Sequence, residues 1–361
     1  MWRRLWLSIL LCVCASTACT SASLEAPEER HADLGTALVA SKLAEAHDPN
    51  VVEPYLRTIE VALAYPDDPW SLAAVLASLE ALVWRDVAGM AGDHAIVHRS
   101  SEALVTTSTR LQRLWATAGR APLARGLIAT ALHDLALRVG AIEAASTWRR
   151  RAGCPTAVTL AGPLGFPPLS ALDRPSPVPA RGAFPHAFSG VAPFAKNVAP
   201  ETVYTDACVV DLRETSSLRG ERAVVVDLDR DAEGRIYVAV TTSNAARLEI
   251  GGALVLERPF GLGGSPVTRF GVAHVNAGRT RVVLRVADNG DGRRVALQLW
   301  DGEGQPVVAL DPRPGTVSDQ AAVSARSIDA VGEVDREHLP LAMAVLLATG
   351  ETRRAQSLVE G

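Results

Sequence analysis

The chain has 361 residues, 48% hydrophobic and 21% charged, with a formal net charge of −4 and a pI near 6.1. That length allows two or three domains with packed cores. A weakly acidic chain excludes a basic nucleic-acid-binding face as its principal surface.

The N-terminus reads as an export signal. Arg3 and Arg4 form a short positive region, Leu5 to Val13 an apolar run too short to span a bilayer, and Ala15, Ser16, Thr17 and Ala18 a small-residue stretch before Cys19. Ala18-Cys19 fits the end of a lipobox, in which the cysteine is acylated. Ser16 stands where leucine is usual, so a secretory signal cut near Ala18 is the alternative. The expected segments are a signal peptide over 1–18 and a tether over 19–30. Cys12 and Cys14 fall inside the signal, leaving Cys154 and Cys208 in the body. In an oxidising compartment they either form a disulfide or remain two buried thiols.

Residues 31–153 read as helical. Asp48-Pro49 and Asp68-Pro69 are expected helix starts. Leu72, Val75, Leu76, Leu79, Leu82 and Val83 recur at helical spacing, as do Leu123, Leu127, Ile128, Ala131, Leu132, Leu135 and Val139. Gly89, Gly92 and Gly119 mark turns. Five or six helices in antiparallel hairpins are expected. In the last, Leu137 to Gly140 is followed by Ala145, Trp148 and Ala152. Ala344, Leu347, Gly350, Ala355 and Leu358 repeat that spacing within 330–361, where a short C-terminal helical hairpin is expected.

Over 154–325 the period changes to two. Val224, Val226 and Leu228; Ile236, Val238 and Val240; Leu248 and Ile250; Val282, Leu284 and Val286; and Val295, Leu297 and Leu299 alternate with other residues. Asp231 to Gly234, Asn276 to Gly278, Asn289 to Gly292 and Asp301 to Gly304 are turn signals between them. The pattern predicts an antiparallel β-sandwich. Residues 166–200, rich in Pro, Ala and Phe, read as an ordered connection running over it. The fold class is thus multidomain α+β.

The Gly140–Ala145–Trp148 grammar resembles a tetratricopeptide repeat, whose glycine permits a sharp helix–helix turn and whose alanines permit close packing. The strand region resembles the galactose-binding-like jelly roll of exported bacterial tetratricopeptide-repeat proteins. The residues that carry this are Leu160 to Gly165, Val210-Asp211-Leu212, Arg235 to Val240, Leu248 to Leu254, Val275 to Val286 and the Asp301 to Pro306 hairpin. Together they span about half the chain. Ser243 to Ala246 replaces the family's acidic loop and its tryptophan and asparagine.

No catalytic constellation stands out. His94 and His98 share a helix face but lack a third zinc ligand. Asp288, Asn289 and Asp291 begin like a calcium loop, but Leu299 occupies the twelfth position, so a hairpin turn is the reading. Tyr204, Tyr237 and Trp300 lie in strand patterns and are expected in the core. Ser216, Ser217 and Ser243 sit in turns without a nucleophile elbow. Trp148 to Arg151 places three positive charges at a helix end, which the helix dipole alone explains.

These readings predict a non-catalytic cell-envelope lipoprotein, with no cofactor, metal or nucleic-acid partner. It is anchored to membrane through Cys19 and binds a protein partner through its helical repeats. By analogy the outer membrane is the expected location, with periplasm or secretion as alternatives. A carbohydrate-binding module for envelope or extracellular glycans, and an accessory N-terminal part of a larger enzyme, are the competing expectations.

Overall fold

The computed structural model describes parts of 34–50 and residues 51–66, 69–84, 99–119, 121–165, 172–189, 197–205, 208–212, 219–258, 266–288, 294–307, 314–317, 324–328 and 342. The expected signal and tether, His94 and His98, and all of the expected C-terminal hairpin except Ala342 lie outside these residues.

The described residues between Leu34 and His47 are helical. Asp48 closes that segment rather than opening the next. Its amide donates to Ala44 O, and its carboxylate accepts from the Asn50 amide. Helix α1 (Glu53–Leu63) instead begins with Pro54 in its first turn, where the missing N–H costs nothing. Helix α2 (Pro69–Leu79) continues through a π turn (Glu80–Trp84). Helix α3 (Ser101–Thr117) is capped by Ser100, whose hydroxyl accepts from the Ala103 amide. Helix α4 (Pro122–Arg138) carries Pro at its start and is apolar nearly all round, as a central helix must be. Gly140, at φ +71°, turns the chain into α5 (Ile142–Arg151), a conformation that favours glycine. Ala145 and Trp148 are buried, and the His133 ring shares a hydrogen bond with Ala145 O at 2.8 Å.

Thirteen strands follow among the described residues: β1 (Ala157–Ala161), β2 (Phe188–Ser189), β3 (Asn197–Val198), β4 (Glu201–Tyr204), β5 (Val209–Asp211), β6 (Gly220–Arg230), β7 (Gly234–Thr242), β8 (Ala246–Ile250), β9 (Ala253–Arg258), β10 (Val267–Val275), β11 (Gly278–Asp288), β12 (Arg294–Asp301) and β13 (Ser324–Ile328). They form a six-stranded sheet, β4-β1-β6-β11-β8-β9, and a five-stranded sheet, β13-β10-β7-β12-β5, with β2 and β3 a separate pair. Every pairing is antiparallel. Strand β13 reaches Ile328, three residues beyond the expected end of the sheet region.

The two large sheets share one apolar core. Val224, Val226, Leu228, Val282, Leu284 and Val286 of one meet Ile236, Val238, Val240, Val295, Leu297 and Leu299 of the other. These are the period-two positions of the sequence, and they give the pair its sandwich-like character.

Both outer faces are also covered. Ala239, Phe270 and Trp300 on the five-stranded sheet, with Cys208 just before β5, belong to the same apolar cluster as α1–α5. Val178, Phe184 and Phe188 of the long connection pack on Ala223, Val225 and Val283 of the six-stranded sheet. The connection therefore runs over the sheet, and charged residues on that face lie beneath it. Arg281 meets Asp227, directly opposite in register, at 2.9 Å, and Arg285 meets Glu221 at 2.5 Å. Arg281 also donates to Pro179 O and Gly315 O and lies 5.0 Å from the Phe184 ring centroid. Arg285 donates to Leu172 O and Arg174 O. Guanidinium is the cation suited to this, because its fork pairs a carboxylate and still reaches backbone carbonyls.

Candidate functional site

The helical unit docks on the five-stranded sheet through Trp300. Its indole is fully buried at the end of β12, and a Cβ on Gly126 of α4 would fall inside it. Gly153, at φ +73°, is equally tight, with the position of its absent Cβ 2.7 Å from Leu299 O. Only glycine at both positions lets the helix and its exit turn approach this closely. Beside the indole, Gln298 Nε2 donates to Thr130 Oγ1 at 2.5 Å and Ala152 O at 3.1 Å. Cys154, just after α5, and Cys208, just before β5, are joined as a disulfide with Cα atoms 4.6 Å apart.

A second cluster lies where α3 ends, α4 begins and α5 ends. Trp115 and Trp148 meet edge to face, with ring centroids 5.3 Å apart. Arg125 Cζ stands 4.4 Å from the Trp115 centroid, and Arg151 Cζ stands 4.5 Å from Trp115 and 4.8 Å from Trp148. Arg149 donates to Thr205 O. Two of the three arginines at this helix end thus have tertiary partners, so the helix dipole is not their sole explanation. Their sequence signal was Trp148 directly before the run Arg149 to Arg151, which only the fold links to Trp115 and Arg125.

Two features are exposed against expectation. Tyr204, expected in the core, is 76% exposed on the edge strand β4. In that strand Val203 points into the sandwich, so alternation sends its neighbour outward. Val139, also expected on a buried stripe, is exposed together with Leu137 and Ile142 around the α4–α5 turn. The stripe ends at Leu135 because the helix does so one turn later.

Tyr237 is partly buried against the helical cluster, and Trp300 is buried as expected. Asp288 ends β11 and pairs with Arg222 at 3.2 Å, both side chains fully buried. It belongs to an ion pair rather than to a turn. Ser243 lies in the bend between β7 and β8. Cys19, Asn289, Asp291, Ser216 and Ser217 lie outside the described residues. Among the described residues no three His, Cys, Asp or Glu side chains gather as metal ligands. No helix there is long and apolar enough to cross a membrane.

No protein-family model and no curated protein matches the chain. Among solved structures it is similar to a β-glucosidase from Kluyveromyces marxianus in complex with glucose, at TM-score 0.26 and 8% identity over 54% of this chain and 23% of that one. The selenomethionine-labelled form of the same enzyme gives TM-score 0.25 and 10% identity over 71% and 43%. The chain thus spans less than half the length of either, and likeness at this level carries no argument about activity.

Proposed function

We propose that this protein is a non-catalytic module of the cell envelope, anchored through lipid at Cys19 and binding a protein partner through its helical unit. It pairs tetratricopeptide-like hairpins with a galactose-binding-like jelly roll. The carrying observation is the apolar trio Leu137, Val139 and Ile142, left in water around a tight helix–helix turn. Capture from detergent-solubilised envelope tests it, using the wild type and the Leu137→Glu/Ile142→Glu pair as bait. A partner retained by the wild type and lost by the pair is expected. The same proteins on both baits would overturn the reading.

A second reading, glycan binding, is favoured by Tyr204, an aromatic side chain 76% exposed at a sandwich edge. It predicts glycan-array signals that Tyr204→Ala abolishes. A silent array with folded wild type would sink it.

A further inference from the structure

We propose that the Trp115 corner of the helical unit is a binding site for a polyvalent oxyanion, a molecule carrying at least two carboxylate or phosphate groups. This site uses other residues than the two readings above and does not depend on either.

Three helix ends build the corner. The last turn of α3 supplies Trp115, the first turn of α4 supplies Arg125, and the last turn of α5 supplies Trp148 and Arg151. Both guanidinium carbons lie within 4.5 Å of one indole centroid, so two like charges are gathered on a single half-buried side chain. The indole face offsets part of that repulsion. It does not use the guanidinium edges, where the N–H donors lie in plane and match a carboxylate or phosphate two at a time.

These edges are largely unspent. Arg125 Nη1 donates to Glu303 O and its Nε is buried, so Nη2 is what this residue offers a ligand. The Arg151 guanidinium has no hydrogen bond and no ion pair among the described residues. The contrast lies within the same molecule. Arg99, Arg110, Arg222, Arg247, Arg281 and Arg285 each face a carboxylate within 4.0 Å. Six arginines of this chain are thus given a counter-charge, whereas Arg149 and Arg230 are held by backbone carbonyls. Of the acidic residues in the adjoining hairpin, Asp301 accepts from the Glu303 and Gln305 amides, and Glu303 is exposed without an ion pair to Arg125 among the described residues. Arg149 and Arg150 flank the pair with no carboxylate partner among the described residues, in a chain whose net charge is −4. A ligand bringing two oxyanions would supply the missing counter-charges at a corner already held in place by stacking.

Calorimetric titration of the full chain in detergent with pyrophosphate, and separately with citrate, tests the site. Saturable one-to-one binding of at least one of them is expected, and preference between them distinguishes a phosphate from a carboxylate ligand. The Arg125→Lys/Arg151→Lys pair keeps the charge but loses the planar fork, and should bind about tenfold or more weakly. Arg57→Lys, on exposed α1 surface, should bind as the wild type does. Thermal melting checks that the variants fold, and Arg151→Lys alone serves if the pair does not. No saturable binding by the wild type would overturn the proposal. So would equal affinity in the lysine variants, which would reduce the corner to diffuse positive charge.

Discussion

Replacing Arg281 by leucine should cost far more than an exposed arginine would. The guanidinium makes two contacts with Asp227, at 2.9 and 3.2 Å, and donates to Pro179 O at 2.9 Å and Gly315 O at 2.5 Å. Its removal leaves Asp227, itself buried, with only the Gly315 amide. Stranding one partner of a buried pair costs about 3–5 kcal/mol, most of it the penalty of an uncompensated charge. Asp227→Leu should cost a similar amount from the other side. The double variant should recover much of the loss, because two apolar side chains under the connection satisfy the same space without a charge. Urea denaturation of the four forms reads the cycle, and limited proteolysis within 172–189 reports whether the connection has lifted. A single-variant cost under about 1 kcal/mol, the range of a solvent-screened surface pair, would refute the burial of this pair.

Other substitutions probe different links. Trp300→Ala should lower stability by about 3–5 kcal/mol, read by thermal or urea unfolding, since it empties the contact between α4 and β12. Cys154→Ser/Cys208→Ser should cost about 4 kcal/mol in the chain-entropy model for a separation of 54 residues, visible as a lowered melting temperature relative to the oxidised wild type. Cys19→Ala should abolish metabolic palmitate labelling, and equal labelling of both forms would refute lipidation there.

Much of the fold was legible because apolar spacing reports which face is buried. Leu72, Val75, Leu76, Leu79, Leu82 and Val83 all meet the helical core, and the alternating valines and leucines of β6, β7, β11 and β12 all meet between the sheets. Gly140 marked its turn for a conformational reason, a positive φ, that sequence can express. What stayed hidden was the environment of the intervening positions. Period-two alternation marks the apolar face and is silent about the other, where Glu221, Asp227, Arg281 and Arg285 are buried. Their partners are a cross-strand neighbour and a carbonyl from a connection up to 113 residues away in sequence. No local pattern encodes such a separation. Tyr204 failed in the opposite direction, because membership of a strand does not say which face its side chain takes or whether the strand is an edge.

Gly126→Ala should discriminate between two accounts of how the helices meet the sheet. If α4 lay on the sheet through generic apolar contact, one methyl group would be absorbed by small shifts at a cost within about 1–3 kcal/mol. Here the Cβ would coincide with the Trp300 indole, whose Nε1–Cε2 edge also lies against Gly153. The ring is fully buried, so accommodating the methyl displaces the ring or the helix, and the Gln298 bonds to Thr130 and Ala152 move with the helix. The cost should then exceed that of Gly119→Ala, where a Cβ meets nothing within 4 Å. Trp300→Phe should rescue Gly126→Ala in part, because the smaller ring vacates the space the methyl needs. Unfolding measurements on the two single variants and the double close the cycle. Strictly additive losses would mean that the indole and the helix do not share that space, and the docking would have to be assigned to the remaining apolar contacts instead.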